Sequence, residues 1–187
     1  MNQDQAARVF IGIRVAPEIA RELAERARPL ERFSVRLVPA ADLHLTLVPP
    51  WNETEIPATL DKLRRAVQGA RPLSLAFERL CYGPNPKRPR LLWVECAPDA
   101  ELARLKKLLL DAFGQNEERP FLPHVTLARI PKQGSLIARK NPLDQKLALV
   151  QPVRTVELFR SPPPGGAGYQ VLASVPLETR PEELTRN

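Results

Sequence analysis

His44-Leu45-Thr46-Leu47 and His124-Val125-Thr126-Leu127 carry the only two histidines of this 187-residue chain. In an extended strand successive side chains alternate faces, so His44 and Thr46 share one face and Leu45 and Leu47 the other; His124, Thr126, Val125 and Leu127 repeat the arrangement. Each copy offers an imidazole and a hydroxyl on a polar surface backed by apolar packing. Two imidazoles are the minimum for paired acid and base chemistry near neutral pH, because an unperturbed pKa of about 6.5 lets one ring start neutral and the other protonated. One histidine in an apolar strand reads as a structural residue. Two in matching settings, with none elsewhere, do not.

Outward from the first motif, Arg8 to Val15 is an apolar run of strand length, and Pro17 opens a helix whose Ile19, Leu23, Ala27 and Leu30 recur at helical spacing. Ser34 to Val38 reads as a short strand. Leu43 to Val48 reads as the motif-bearing strand, expected to stop at Pro49-Pro50 because neither proline donates to a sheet ladder. A helix from Pro57 to about Gly69 precedes alternating Leu73 to Glu78, a Pro-rich loop (Gly83 to Pro89) and Leu91 to Cys96, together a hairpin. Asp99 caps a helix with the stripe Leu102, Leu105, Leu109 and Phe113, closed by Gly114. Pro120-Phe121-Leu122-Pro123 leads into the second motif.

Lys132 to Leu149 admits either a short helix or a loop. Val153 to Phe159 and Tyr169 to Leu177 read as strands joined by the turn-rich connector Ser161 to Gly168, and residues 178–187 as a frayed tail. The repeated motif, and a helix between strands in each half, predict an α+β fold: one domain over residues 1–187, with two sheet-bearing lobes facing across a groove.

The net charge of +7 favours an anionic partner such as nucleic acid. About three-quarters of the basic residues are arginine, and they are scattered; the densest run, Lys87-Arg88-Pro89-Arg90, reads as a solvated loop. No apolar run approaches the roughly 20 residues of a membrane helix, and Met1-Asn2-Gln3-Asp4-Gln5 lacks a secretory pattern, so a soluble, cytoplasmic protein is expected. Cys81 and Cys96, in apolar segments without metal-ligand spacing, read as free core thiols. Two histidines without a carboxylate or thiolate pattern fall short of the ligands zinc wants. No Gly-rich phosphate loop, dinucleotide fingerprint or serine-nucleophile motif is present, so no cofactor is expected.

At these residues the sequence resembles a known family. His44-Leu45-Thr46-Leu47 and Pro120-Phe121-Leu122-Pro123-His124-Val125-Thr126-Leu127-Ala128-Arg129 look like the paired His-x-Thr-x motifs of the 2H phosphoesterases, in the branch of RNA 2′,3′-cyclic phosphodiesterases, also called 2′-5′ RNA ligases. The resemblance implies a bilobal, pseudo-twofold fold of two antiparallel-sheet lobes with helices outside and a central cleft. It implies metal-independent chemistry on a cyclic phosphate at an RNA 3′ end, in a monomer. By similarity His44 and His124 are the acid–base pair, with His44 leaning to the acid and His124 to the base. Thr46 and Thr126 bind phosphate oxygens or orient the rings, and Arg129 faces the phosphate.

Strict alternation sets Arg129 on the face opposite His124, so that role requires the strand to end or bulge. The chain departs from the family pattern at Pro49-Pro50-Trp51, where an aromatic and a glycine are common; Trp51 is the candidate substitute for base stacking. Arg14 stands where an acidic residue is frequent. Two other readings are a phosphodiesterase for a small nucleotide and a non-catalytic RNA-end binding module; intact histidines in both motifs argue against the second.

Overall fold

The computed structural model describes residues 6–130, 133–163, 166 and 168–178, so most of the predicted tail and part of the 161–168 connector lie outside the described residues. In chain order the elements are β1 (Ala7–Arg14), α1 (Pro17–Ala27), β2 (Arg36–Leu37), β3 (His44–Glu53), α2 (Ile56–Ala66), β4 (Leu73–Gly83), β5 (Leu91–Cys96), α3 (Ala100–Phe113), β6 (His124–Arg129), α4 (Gly134–Lys140), β7 (Asp144–Val153), β8 (Thr155–Arg160) and β9 (Gln170–Pro176). Short 3₁₀ turns at Arg28–Arg32 and Ala40–Asp42 flank β2.

All strand pairs are antiparallel, in the order β7-β4-β5-β6-β3-β1-β8-β9, with β2 adding to β6. The order divides at its middle into β3-β1-β8-β9 and β6-β5-β4-β7. The unit β1-α1-β3 is repeated as β5-α3-β6, and the two motif strands meet at one pair, Leu45 with Val125. This is the duplicated α+β architecture that the sequence predicts. The lobes are not consecutive in the chain: β4 leaves for the second, and β8 and β9 return to the first through Arg154. Gln151 fastens the crossing, its Oε1 accepting from Ala16 N at 2.8 Å and its Nε2 donating to Arg14 O at 2.9 Å.

The core lies between the sheet and the helices. Val9, Ile11, Leu45, Leu47, Val94, Val125 and Leu127 on strands meet Leu23 of α1 and Leu102, Leu105 and Leu109 of α3. Each such aliphatic side chain, at 0–4 % exposure, contributes about 1.5–3 kcal/mol relative to exposure, so packing holds these helices more than propensity does. Asp99 Oδ1 caps α3 by accepting from Leu102 N at 2.8 Å, and Gly114 closes it at φ 63°, where a Cβ would be strained.

Two sequence expectations need correction. Pro49-Pro50 does not end the motif strand: β3 runs on to Glu53. The β1 register passes from Ile11–Val48 to Val9–Trp51, so the two prolines together oppose Phe10 in a bulge, where a missing N–H costs no ladder bond. The segment read as a helix or a loop contains both α4 and most of β7. β7 pairs only with β4, and its exposed, charged start hides the alternation expected of a buried strand. Both cysteines are buried and free, as read.

Candidate active site

Cross-strand partners share a face, so the register assigns sides to the residues around the motifs. Thr46 pairs with Gly12 and His44 with Arg14; Phe10 pairs with Phe159, and the Phe10 ring lies 4.7 Å from that of His44. These side chains lie on the face away from the core. In the second lobe His124 pairs with Glu95 and Thr126 with Trp93, whose ring is 4.5 Å from His124. Continuing the antiparallel register through Leu45–Val125 sets His44 across from Thr126, and Thr46 across from His124. Both motifs thus open onto one surface. Gly12 is required there, since a Cβ would come within 2.6 Å of the Leu45 carbonyl oxygen.

Each motif strand bulges immediately after its threonine. The β5–β6 register shifts between Trp93–Thr126 and Leu92–Ala128, which leaves Leu127 as the extra residue; the β1–β3 register shifts the same way around Leu47. Leu127 and Ala128, like Leu47 and Val48, are consequently consecutive buried residues. The bulge in β6 reverses the alternation beyond it. Arg129, paired with Leu91, therefore joins the face of His124 and Thr126, which strict alternation forbids. Beyond the corresponding bulge in β3 the equivalent position is Pro49. Lys106 of α3 supports that bulge from the core side, donating to Leu47 O at 2.8 Å while paired with Glu117 at 2.6 Å.

The two imidazoles are held identically. His44 Nδ1 lies 2.7 Å from Asp42 O and His124 Nδ1 lies 2.7 Å from Leu122 O, in each case the carbonyl two residues earlier. A carbonyl only accepts, so Nδ1 carries the hydrogen and Nε2 is left in each ring for proton transfer.

Their surroundings differ. His44 lies among Phe10, Phe159 (5.4 Å) and Tyr169 (5.1 Å), and burial pushes its ring below the ordinary imidazole value. The bond to Asp42 opposes that shift, and the positive charges of Arg129 and His124 add to it. Asp42, itself buried, also accepts from Tyr169 N at 2.9 Å and so ties the β8–β9 connector to the first motif. Glu157 on the same face accepts from Arg14 N at 3.1 Å and Thr155 Oγ1 at 2.6 Å, and burial pushes its carboxyl upward. Near His124, Arg79 binds Asp144 at 2.8 Å and approaches Glu95 at 3.7 Å.

Of the residues singled out in the sequence, His44, Thr46, His124, Thr126 and Arg129 fall on one face. Trp51 does not. Its partner Val9 belongs to the core, its ring lies 5.3 Å from Phe113 of α3, and its Nε1 donates to Glu53 at 3.2 Å. The second bulge, at Pro49-Pro50, turns it to the helical side. Phe10, Phe159, Tyr169 and Asp42 are site residues the sequence did not mark; only the alternation of Phe10 within β1 hinted at its outward face. Among the described residues no cluster of three or more His, Cys, Asp or Glu has metal-binding geometry, and no helix is long and apolar enough to cross a membrane.

A divided antiparallel sheet with two His-x-Thr strands meeting at its centre defines the class, a 2H phosphoesterase. A family model, the 2′-5′ RNA ligase superfamily, matches residues 15–160, and the chain belongs to that family. It is 31 % identical over 128 residues to an RNA 2′,3′-cyclic phosphodiesterase of Bacillus subtilis (strain 168), spanning 64 % of this chain and 69 % of the relative. An RNA 2′,3′-cyclic phosphodiesterase of Archaeoglobus fulgidus is 25 % identical over 135 residues, spanning 70 % and 77 %. Among solved structures, TT0787 of Thermus thermophilus superposes with a TM-score of 0.75 at 26 % identity, covering 92 % of this chain and 99 % of that one. LigT of E. coli complexed with 3′-AMP gives 0.73 at 21 % identity, covering 94 % and 100 %, a likeness of fold.

Proposed function

We propose that the protein hydrolyses 2′,3′-cyclic phosphate ends of RNA to 2′-phosphates without a metal ion. The observation that carries the reading is the twinned anchoring of His44 and His124, with both Nε2 atoms left for proton transfer on one face, each ring across from the other motif's threonine. The names of the bacterial and archaeal relatives support the substrate class.

In the reaction one Nε2 takes a proton from water as its oxygen attacks phosphorus; the P–O3′ bond breaks and the other Nε2–H protonates O3′. A 2′-phosphate leaves, and solvent exchange resets the two rings. We keep the expectation that His44 is the acid and His124 the base. Thr46 and Thr126 donate to the equatorial oxygens, and Arg129, on the same face, neutralises their growing charge. With an RNA 5′-hydroxyl in place of water, the same steps form a 2′-5′ phosphodiester, and the reverse steps cleave one. The working unit is one domain of two lobes, acting as a monomer.

The test is turnover of a short RNA with a 2′,3′-cyclic end in excess chelator, with the product's phosphate position read by NMR. A 2′-phosphate at an undiminished rate is expected. Loss of activity restored by zinc or manganese would mean that the histidines are ligands.

A further inference from the structure

Beside His44 lies a cavity of about 480 Å³ whose lining includes Arg8, Arg36, Arg129, Asp42, Pro163 and Tyr169. Asp42, Tyr169 and Arg129 are shared with the surroundings of the two histidines, while neither histidine nor motif threonine lines the cavity, so it adjoins the reacting position. Its three arginines against one aspartate leave a lining charge of +2. That aspartate is already engaged, by the backbone N–H of Tyr169.

What sets these arginines apart is their convergence on one cavity and the pairing of two of them across strands. Arg26, Arg28, Arg64, Arg79 and Arg104 each meet a carboxylate. Arg36 and Arg129 instead stand directly opposite each other on β2 and β6, a like-charge pairing that costs stability. Neither they nor Arg8 has an ion-pair partner among the described residues, and all three are exposed. A fold that keeps such a pair uncompensated has left room for an anion from outside. Guanidinium groups suit phosphate because they present several N–H donors in a plane.

We propose that this cavity is a subsite for a second phosphate, the one attached to the 5′ oxygen of the nucleotide that carries the cyclic phosphate. This rests on the function proposed above and adds that the preferred substrate carries at least two phosphates. Arg8 and Arg36 hold the second phosphate, and Arg129 stands at the edge between it and the reacting one. The group can be the next phosphodiester of an RNA strand or the 5′-phosphate of a mononucleotide; the chemistry recognised is the same.

The experiment compares kcat/KM for adenosine 2′,3′-cyclic phosphate, the same compound with a 5′-phosphate, and the dinucleotide ApA with a 2′,3′-cyclic end, using wild type, Arg8→Ala/Arg36→Ala and the loop control Arg88→Ala/Arg90→Ala. Two charge-assisted contacts predict a preference of at least about tenfold for both two-phosphate substrates over the first. The preference should collapse towards unity in the Arg8/Arg36 variant and persist in the loop control. A dinucleotide preference not matched by the 5′-phosphorylated mononucleotide assigns the subsite to the strand's phosphodiester. Equal kcat/KM for all three compounds in wild type, or a preference that survives in the Arg8/Arg36 variant, overturns the subsite and leaves the hydrolase reading standing. If no compound is turned over, the hydrolase reading fails, and the Kd of the dinucleotide 2′-phosphate decides the subsite: the Arg8/Arg36 variant must weaken it at least about tenfold, with a shallower salt dependence by about 0.7 in logarithmic slope.

Discussion

The first and second motifs hold their histidines with the same backbone device and surround them with different chemistry. In both, Nδ1–H donates to the carbonyl two residues earlier and the strand bulges after the threonine. Past that bulge the second motif presents Arg129 and the first presents Pro49. His44 is enclosed by three aromatic rings beside an arginine-lined cavity; His124 has Trp93 against it and Glu95 across from it. The repeated part supplies two imidazoles anchored alike through Nδ1. The unrepeated part makes the two sides of that face unlike in charge and in aromatic cover.

The hardest blow to the symmetric part is removal of either ring. His44→Ala and His124→Ala should each lower kcat by roughly 10²- to 10⁴-fold with unchanged circular dichroism. Losses under about tenfold in both would end the two-histidine mechanism. The asymmetric part breaks at Arg129: Arg129→Ala should cost roughly 10²-fold in kcat if it stabilises transition-state charge. A rise confined to KM would move it from chemistry to binding.

Dependence on pH sharpens the comparison. Rate should follow a bell, one ring neutral and one charged. Burial holds the His44 ring below the ordinary imidazole value, so whichever role His44 plays, the limb of the bell that it governs should lie on the acid side of about 6.5. Because Arg129 contributes to that lowering, Arg129→Lys should retain the position of the limb and Arg129→Ala should move it upward. A profile of Arg129→Ala that superposes on that of the wild type would remove His44 from the titrating pair. The smallest effect concerns Trp51. As a half-buried aromatic packed on α3, Trp51→Ala should lower stability by about 1–3 kcal/mol in a denaturant titration while KM stays put. A several-fold rise in KM at unchanged stability would return it to the substrate face.

How much of this was readable beforehand depended on the range of the interaction involved. A period of two is a local property, and it identified both histidines, their threonines and the apolar residues behind them, as well as the start of β4; a short apolar run marked β1. The cap at Asp99 and the stop at Gly114 are local too, and α3 was legible from end to end. β7 was not, because an edge strand lacks the burial that imposes alternation.

From the sequence alone, then, came the chemistry: two imidazoles in matching strands, an α+β duplication, and an arginine whose face depended on a bulge. The tertiary structure decided which side each later residue took. A bulge is set by the partner strand, so Arg129 turned to the cleft and Trp51 to the core for reasons lying in β5 and β1. The aromatic enclosure of His44 and the Asp42–Tyr169 bond span up to 127 residues of chain, and Arg36 meets Arg129 only because β2 adds to β6. Side chains brought together over such separations leave no periodic trace in the sequence, because their proximity is a property of strand order rather than of neighbouring residues.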